Sequence, residues 1–539
     1  MFALNKSNEI RTVKMKKIIL GLFAFGLLLI AAIAAFKPAS GETDNLEKLR
    51  EKYSRKPVKS VDHSKFAQLQ GKFENPRQLT AACISCHNGR HTEVMHSNHW
   101  NWERPEYEKG KGIVYIGKKN AVNNFCIGVQ GNEKSCAKCH IGLGETTENN
   151  KLNYVDSTNI DCLVCHDNSE TYAKGQELEG APDPKVDLAK AAQSVGKPKR
   201  SNCGVCHFFG GGGNNVKHGD LEKSLFEPSK ELDAHMAVEG MNMECTDCHV
   251  TQNHVISGKM YSLSSMNRNR VTCEQCHTET PHDKDILNEH TLKVACQTCH
   301  IPTYAKDAAT KVAWDWSTAG RLRDGKPYEE DDAFGNHTYL SIKGTFKWAK
   351  NLKPEYAWFN GTATHYLLGE KIPDYGKKTL ELNPLYGDYA DPDAKIIPLK
   401  RHRARQPADP VNQILIQPKL YADNPGEGAF WKDFNWQRAS EVGMKEAGLP
   451  YSGKYDFIET VMNWPVNHMV GTKENTVKCV ECHTQNGSRL AGLNDFYMPA
   501  RDRNGIVETS GIAIIIMTLI GVAGHGAMRI FSSRKNKGN

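Results

Sequence analysis

One spelling, Cys-x-x-Cys-His, recurs eight times in this chain: Cys83/Cys86/His87, Cys136/Cys139/His140, Cys162/Cys165/His166, Cys203/Cys206/His207, Cys245/Cys248/His249, Cys273/Cys276/His277, Cys296/Cys299/His300 and Cys479/Cys482/His483. All but one of the 17 cysteines are used in this way. The spelling is the attachment signature of c-type haem. Two thiols add across the two porphyrin vinyl groups, and the histidine that follows is placed to ligate the iron. A zinc ribbon also pairs cysteines, but it needs no histidine fixed after each pair. Structural disulfides do not repeat one spacing eight times. The pattern implies eight covalently bound c-type haems and excludes a disulfide scaffold, a disordered chain, a cytosolic housekeeping enzyme and a nucleic-acid binder.

Seven units crowd into residues 83–300, and the eighth stands alone after a haem-free stretch, 301–478. Such density makes an electron wire. It also explains how a chain of mean hydropathy −0.57 folds, because porphyrin faces supply core that the side chains lack. The expected fold is mainly α, loop-rich and poor in β, with haems forming much of the core and transmembrane helices at the ends. Leu46 to Tyr53 reads as a helix capped by Asp44 or Asn45, and Pro228 to Val238 as another with proline in its first turn. The aromatics of 301–478, among them Trp314, Trp316, Phe346, Trp348, Trp358 and Trp436, read as packing around porphyrin edges. The basic cluster Lys400-Arg401-His402-Arg403 reads as a solvated face or a propionate partner.

The formal charge of +7 sits at the ends of the chain. Residues 1–17 and 511–539 carry +4 each, which leaves −1 for residues 18–510. An anionic substrate therefore needs a local cationic pocket. Residues 18–36 form an apolar run long enough to span a bilayer, either a retained anchor or a cleaved signal. Residues 511–528 form a second run, followed by Arg529, Arg534, Lys535 and Lys537. Basic flanks outside both runs keep both ends in the cytoplasm and leave everything between them periplasmic. The organisation expected is 1–40 signal or anchor, 41–300 seven-haem region, 301–478 haem-free region, 479–510 eighth haem unit, 511–531 C-terminal membrane helix and 532–539 basic tail. His525, inside the second run, is either a contact to a membrane partner or an interfacial histidine.

A wire haem usually takes a second histidine. Of the 22 histidines, thirteen lie outside the motifs and the membrane run. His99, His218, His235, His254, His282, His290 and His468 stand shortly before or after a haem unit and are the expected distal ligands. His63, His91, His96, His337, His365 and His402 are held in reserve.

Three features mark one haem as different. They are Cys126, the cysteine outside the motifs; the run Gly210-Gly211-Gly212-Gly213; and the segment Asn214-Asn215-Val216-Lys217-His218-Gly219-Asp220 that it feeds. Glycines let backbone approach a porphyrin or substrate closely. A lysine amine ligates iron only when deprotonated, which desolvation and a ferric ion favour. These segments, together with Asn124-Phe125-Cys126-Ile127, Asp161-Cys162-Leu163-Val164-Cys165-His166-Asp167 and Ala295-Cys296-Gln297-Thr298-Cys299-His300-Ile301-Pro302, resemble the octahaem tetrathionate reductases over roughly residues 75–500. The resemblance implies an active second haem, attached through Cys136 and Cys139, with Lys217 on its iron and Cys126 lining the pocket. Three residues before the lysine that family has an acid, whereas this chain has Asn214, which cannot shuttle a proton as a carboxylate does. All eight units end in histidine, which excludes the Cys-x-x-Cys-Lys attachment of pentahaem nitrite reductases.

The resemblance implies reduction of a small oxyanion or nitrogen species (tetrathionate, nitrite or hydroxylamine) at the Lys-ligated haem. The electrons come from a membrane donor such as a quinol-oxidising cytochrome. The rival readings are a conduit without a substrate of its own, and hydroxylamine oxidation with the flow reversed. Homo-oligomerisation is left open.

Overall fold

The computed structural model describes residues 61–125, 128–144, 154–175, 180–258 and 264–535. The expected helix at 46–53, the run at 18–36 and Cys126 lie outside these residues. The chain divides into two compact units. Cys273–Pro281, which carries the sixth motif, belongs to one of them. There the amides of Cys276 and His277 both donate to the Cys273 carbonyl, at 3.1 and 2.8 Å.

In the larger unit each motif builds one helical turn, because positions i, i+3 and i+4 of a helix share a face. That places both thiols and the imidazole on one side. Helix α1, Pro76–Cys86, shows the local logic: Asn75 caps it by accepting from the Gln78 amide, proline occupies the first turn, and the helix stops at the second cysteine. Helix α2, Arg200–His207, carries the fourth motif. The remaining motif turns are short, at Leu163–His166, Cys245–Cys248, Cys296–His300 and Cys479–Cys482, and the second motif spans a turn of α-helix, Glu133–Cys136, and a 3-10 turn, Ala137–Cys139.

The expectation of a mainly α fold is overturned by a nine-stranded sheet that occupies the haem-free stretch. Its strands are β1 (Thr310–Asp315), β2 (Glu329–Asp331), β3 (His337–Leu340), β4 (Gly344–Ala349), β5 (Glu355–Phe359), β6 (Leu380–Glu381), β7 (Lys395–Asp409), β8 (Ile414–Leu415) and β9 (Asp456–Pro465). The order is β6-β9-β7-β1-β4-β3-β2, with β5 and β8 also pairing with β7. The fifteen-residue β7 is the spine of the sheet. It runs antiparallel to β9 from Leu399↔Pro465 to Ala408↔Asp456 and parallel to β1. Its sequence hides it: Pro398 and Pro407 argue against a central strand, and its Lys, Arg and His residues read as solvated.

The aromatics of this region pack on one another. Trp314 stacks on Trp316 at 4.2 Å and Phe430 on Trp436 at 4.1 Å, within a cluster that includes Phe346, Ala404 and Leu420. Trp436 opens helix α3, Trp436–Glu446, which Asn435 caps. A second cluster joins Phe125, Tyr366, Met462 and Trp464. The core of this region is therefore built from side chains.

The expected helix from Pro228 to Val238 is a run of turns. Buried Asp233 accepts from the amides of His235 and Met236 at 2.9 and 3.0 Å and from the Met469 amide at 2.9 Å. A side-chain acceptor of this kind competes with helical bonding. The chain's last helix, α4, spans Gly505–Lys535 and starts before the apolar run because Asn504 accepts from the Val507 amide at 3.2 Å. Its segment Gly505–Ser532, which contains an 18-residue window of mean hydropathy 2.1, is long and apolar enough to cross a membrane. His525 lies within it.

Phe430 is fully buried. Phe430→Ala is expected to cost about 3–5 kcal/mol of stability, measured by denaturant titration followed by far-ultraviolet circular dichroism. A loss under about 1 kcal/mol would show that the cluster is not a packed core.

Candidate functional site

Two imidazoles bonded to one metal through Nε2 at roughly 2 Å each bring their ring centroids to about 6 Å. Among the described residues, six histidine pairs show this spacing. His63 faces His87 at 6.1 Å, His99 faces His207 at 6.1 Å and His166 faces His254 at 6.4 Å. His249 faces His468 at 6.3 Å, His282 faces His300 at 6.2 Å and His290 faces His483 at 6.2 Å. Each pair contains one motif histidine, so an iron held between two rings fits these cradles.

Many of these rings are oriented by a bond at Nδ1. Backbone carbonyls serve His166 (Gly196, 2.9 Å), His249 (Ser257, 2.9 Å), His290 (Ile286, 2.6 Å) and His483 (Pro499, 3.0 Å). Two others use carboxylates: His254 bonds Glu93 at 2.9 Å and His468 bonds Asp220 at 3.1 Å. Asp220 is 1% exposed and also accepts from the Asn467 and His468 amides.

The motifs are held against one another. Cys83 lies within hydrogen-bond reach of Cys162, Cys139 of Cys206, and Cys203 of Cys245. These contacts link the first unit to the third, the second to the fourth and the fourth to the fifth. The buried Arg200 fastens the helix of the fourth to the segment that leads into the fifth, donating to the Met236 carbonyl at 2.9 Å and to Asn242 Oδ1 at 2.7 Å.

The second unit differs. The ring stacked on His140, at 3.3 Å between centroids, is the indole of Trp102. Among the described residues His140 faces no second imidazole, and its buried Nδ1 has no hydrogen-bond partner. Burial holds the His140 imidazole well below its ordinary range, and the charges of Lys118 and Lys174 add to this.

Lys217 stands in a loop shaped by glycine. Gly211 has φ +87°, and a Cβ there would lie 2.9 Å from Val216 Cγ1 and 3.1 Å from Phe125 Cδ2. A Cβ on Gly210 would lie 3.3 Å from Lys217 Cδ. The lysine Nζ lies 5.5 Å from the Phe125 ring centroid and 5.1 Å from that of Trp464, so two aromatic rings flank the amine and screen it from water.

Other expected site residues have different surroundings. The His218 ring packs against Trp464 at 5.1 Å, and burial, then the Lys217 charge, hold it well below its usual range. His235 keeps its Nδ1 4.0 Å from Asp233. Asn214 ties a turn, accepting from the Lys223 amide at 2.8 Å. Cys126 is outside the described residues, but Asn124 before it is fully buried and bonds His402 twice, Oδ1 to Nδ1 at 3.0 Å and Nδ2 to the carbonyl at 2.8 Å. Of the reserve histidines, His337 pairs with Asp331 at 2.6 Å, His96 bonds the Thr92 carbonyl at 2.7 Å, His365 is buried 3.8 Å from Glu108 and His91 has a buried, unbonded Nδ1.

The basic cluster on β7 divides by strand alternation. Arg401 and Arg403 turn toward Glu355, at 3.7 and 3.0 Å. Lys400 and His402 are fully buried, contrary to the reading of a solvated face. Burial pushes the Lys400 ammonium down to about 7, partly offset by Asp220. Lys400 and Trp464 were not signalled by any motif; the strand alternation around Arg401 was the available clue.

Comparison with known proteins agrees with this chemistry. Residues 311–486 match the family model of bacterial cytochrome c. An uncharacterized protein of Archaeoglobus fulgidus is 26% identical over 278 residues, 42% of this chain and 88% of its own length. The crystal structure of octaheme cytochrome c from Shewanella oneidensis is 41% identical and superposes with a TM-score of 0.75, covering 83% of this chain and 99% of its own. A multihaem c-type cytochrome is the class that the motifs and imidazole cradles define. Within that class, the chain belongs to the octahaem cytochrome c family and is a redox protein with covalently bound c-type haem.

Gly211→Ala puts a side chain into a left-handed conformation and against Val216. It is expected to cost about 1–2 kcal/mol in thermal denaturation, whereas Gly213→Ala, at ordinary φ, should cost less. Equal losses would remove the steric argument.

Proposed function

We propose that this protein is a periplasmic octahaem cytochrome, anchored by its C-terminal helix, that reduces a small oxyanion or nitrogen species at its second haem. Lys217 ligates that iron, and the other seven haems deliver the electrons. The observation that carries this reading is a contrast. Among the described residues, six motif histidines face a second imidazole at 6.1–6.4 Å. His140 instead meets an indole, and the glycine loop brings a lysine between Phe125 and Trp464.

When bound, the second haem supplies electrons and a place for substrate at one iron; bis-imidazole haems supply electron transfer alone. The chain's residues supply the rest. Phe125 and Trp464 keep the Lys217 amine desolvated, which favours the neutral, ligating form. Tetrathionate cleavage takes two electrons at the central S–S bond. Nitrite reduction to ammonium takes six electrons and eight protons, so proton supply matters more. Asn214 is bonded to the Lys223 amide and cannot act as an acid, which favours the reaction that draws fewer protons at that position.

The test is turnover of Lys217→Ala with reduced dye on tetrathionate, nitrite and hydroxylamine. Activity should fall at least on the order of a hundredfold while the bis-imidazole haems stay reducible and keep their spectra. Unchanged turnover on all three substrates, with eight low-spin bis-histidine signals in the parent, would leave the conduit as the function.

A further inference from the structure

Lys217 is held at both ends by one cross-strand pair. Lys400 of β7 lies directly opposite Trp464 of β9, and paired residues of an antiparallel ladder project to the same face. Trp464 meets the far end of Lys217, with the ring centroid 5.1 Å from Nζ. Lys400 meets the near end. Its Nζ donates to the Val216 carbonyl at 2.7 Å and to the Lys217 carbonyl at 3.1 Å. A third bond goes to Thr310 Oγ1 at 2.6 Å, and that hydroxyl donates in turn to the Asn215 carbonyl at 2.6 Å.

An ammonium group has three donors, and all three are spent here, directly or through Thr310, on three consecutive carbonyls of one loop. Left-handed residues open and follow this run, Asn215 at φ +57° and Gly219 at φ +88°. A Cβ on Gly219 would lie 3.0 Å from Lys400 Cδ and 2.8 Å from the Tyr304 ring, so the loop also packs on the stem of Lys400. A fully buried lysine is costly unless it is bonded throughout. The sheet could place an apolar side chain here at less cost, and stability alone gives no reason for a lysine whose bonds converge on the carbonyls around Lys217.

We infer that Lys400 is a positioning residue: it fixes the backbone of residues 215–217 and so aims the Lys217 amine at the second haem. This rests on the reading that Lys217 ligates that iron. It assigns to the sheet a role in the redox site beyond covering the wire.

The test uses the full-length holoprotein. Lys400→Met keeps the stem and removes the three donors. With eight haems retained, the electron paramagnetic resonance signal of the amine-ligated haem should shift or split into more than one form while the bis-imidazole signals stay unchanged. Turnover should fall on the order of ten- to a hundredfold, the scale of an ångström misplacement. A purely structural lysine would leave that signal alone, and an unchanged signal would overturn the proposal. If Lys400→Met does not fold, Thr310→Val removes one link. It should move the same signal by a smaller amount, and no movement there would also overturn the inference. Lys217→Ala run in parallel separates the two claims. If that variant leaves the odd signal intact, the ligation reading itself fails. If it abolishes the signal while Lys400→Met does not alter it, only the role of Lys400 fails.

Discussion

The structure depends on one geometric fact: residues three and four apart on a helical turn point the same way. Each Cys-x-x-Cys-His unit turns that fact into a socket, and the rest of the larger unit arranges sockets and brings a second ring to most of them. The chain needs little helix for this. A single turn suffices at Cys245–Cys248 or Cys479–Cys482, and irregular backbone can run between turns because side-chain carboxylates and carbonyls catch its amides, as Asp233 does for residues 235, 236 and 469. The cost of so much loop is met by buried bonds such as those of Arg200.

The motif turns are plain in the sequence, whereas the pairing of rings is only partly so. His254, His282, His290 and His468 each face a motif ring, but not always the nearest one in the chain. His290 stands just before the seventh motif and faces His483 of the eighth. His468 reaches back to His249. His63, ranked behind others, faces His87, and His218, ranked ahead, packs on Trp464. Nearness in sequence carries little information once the chain folds back on itself many times.

The sheet was the larger omission, and the reason is specific. Strand patterns are read as apolar residues alternating with polar ones, and β7 alternates buried lysine, histidine and glutamine with outward arginines. Its inward polar groups are bonded by other segments: Lys400 by the loop at 215–217 and Thr310, His402 by Asn124 at Nδ1 alone, its Nε2 being buried without a partner, and Gln406 by the Asn123 carbonyl at 2.8 Å. A strand whose buried face is polar because two distant loops dock on it has no local signature. The aromatics beside it were noticed, but their partners were each other.

The two carboxylate-bonded rings make the path for charge uneven. An imidazole whose Nδ1 proton leans toward Glu93 or Asp220 gains anionic character, and where such a ring carries iron it favours the oxidised metal over the reduced one. Rings leaning on neutral carbonyls lack this bias. An electron passed between irons held in these cradles would therefore meet a profile with rises at His254 and His468. Because Asp220 is continuous with the loop that bears Lys217, one of those rises would stand beside the stretch of chain that the sheet holds through Lys400.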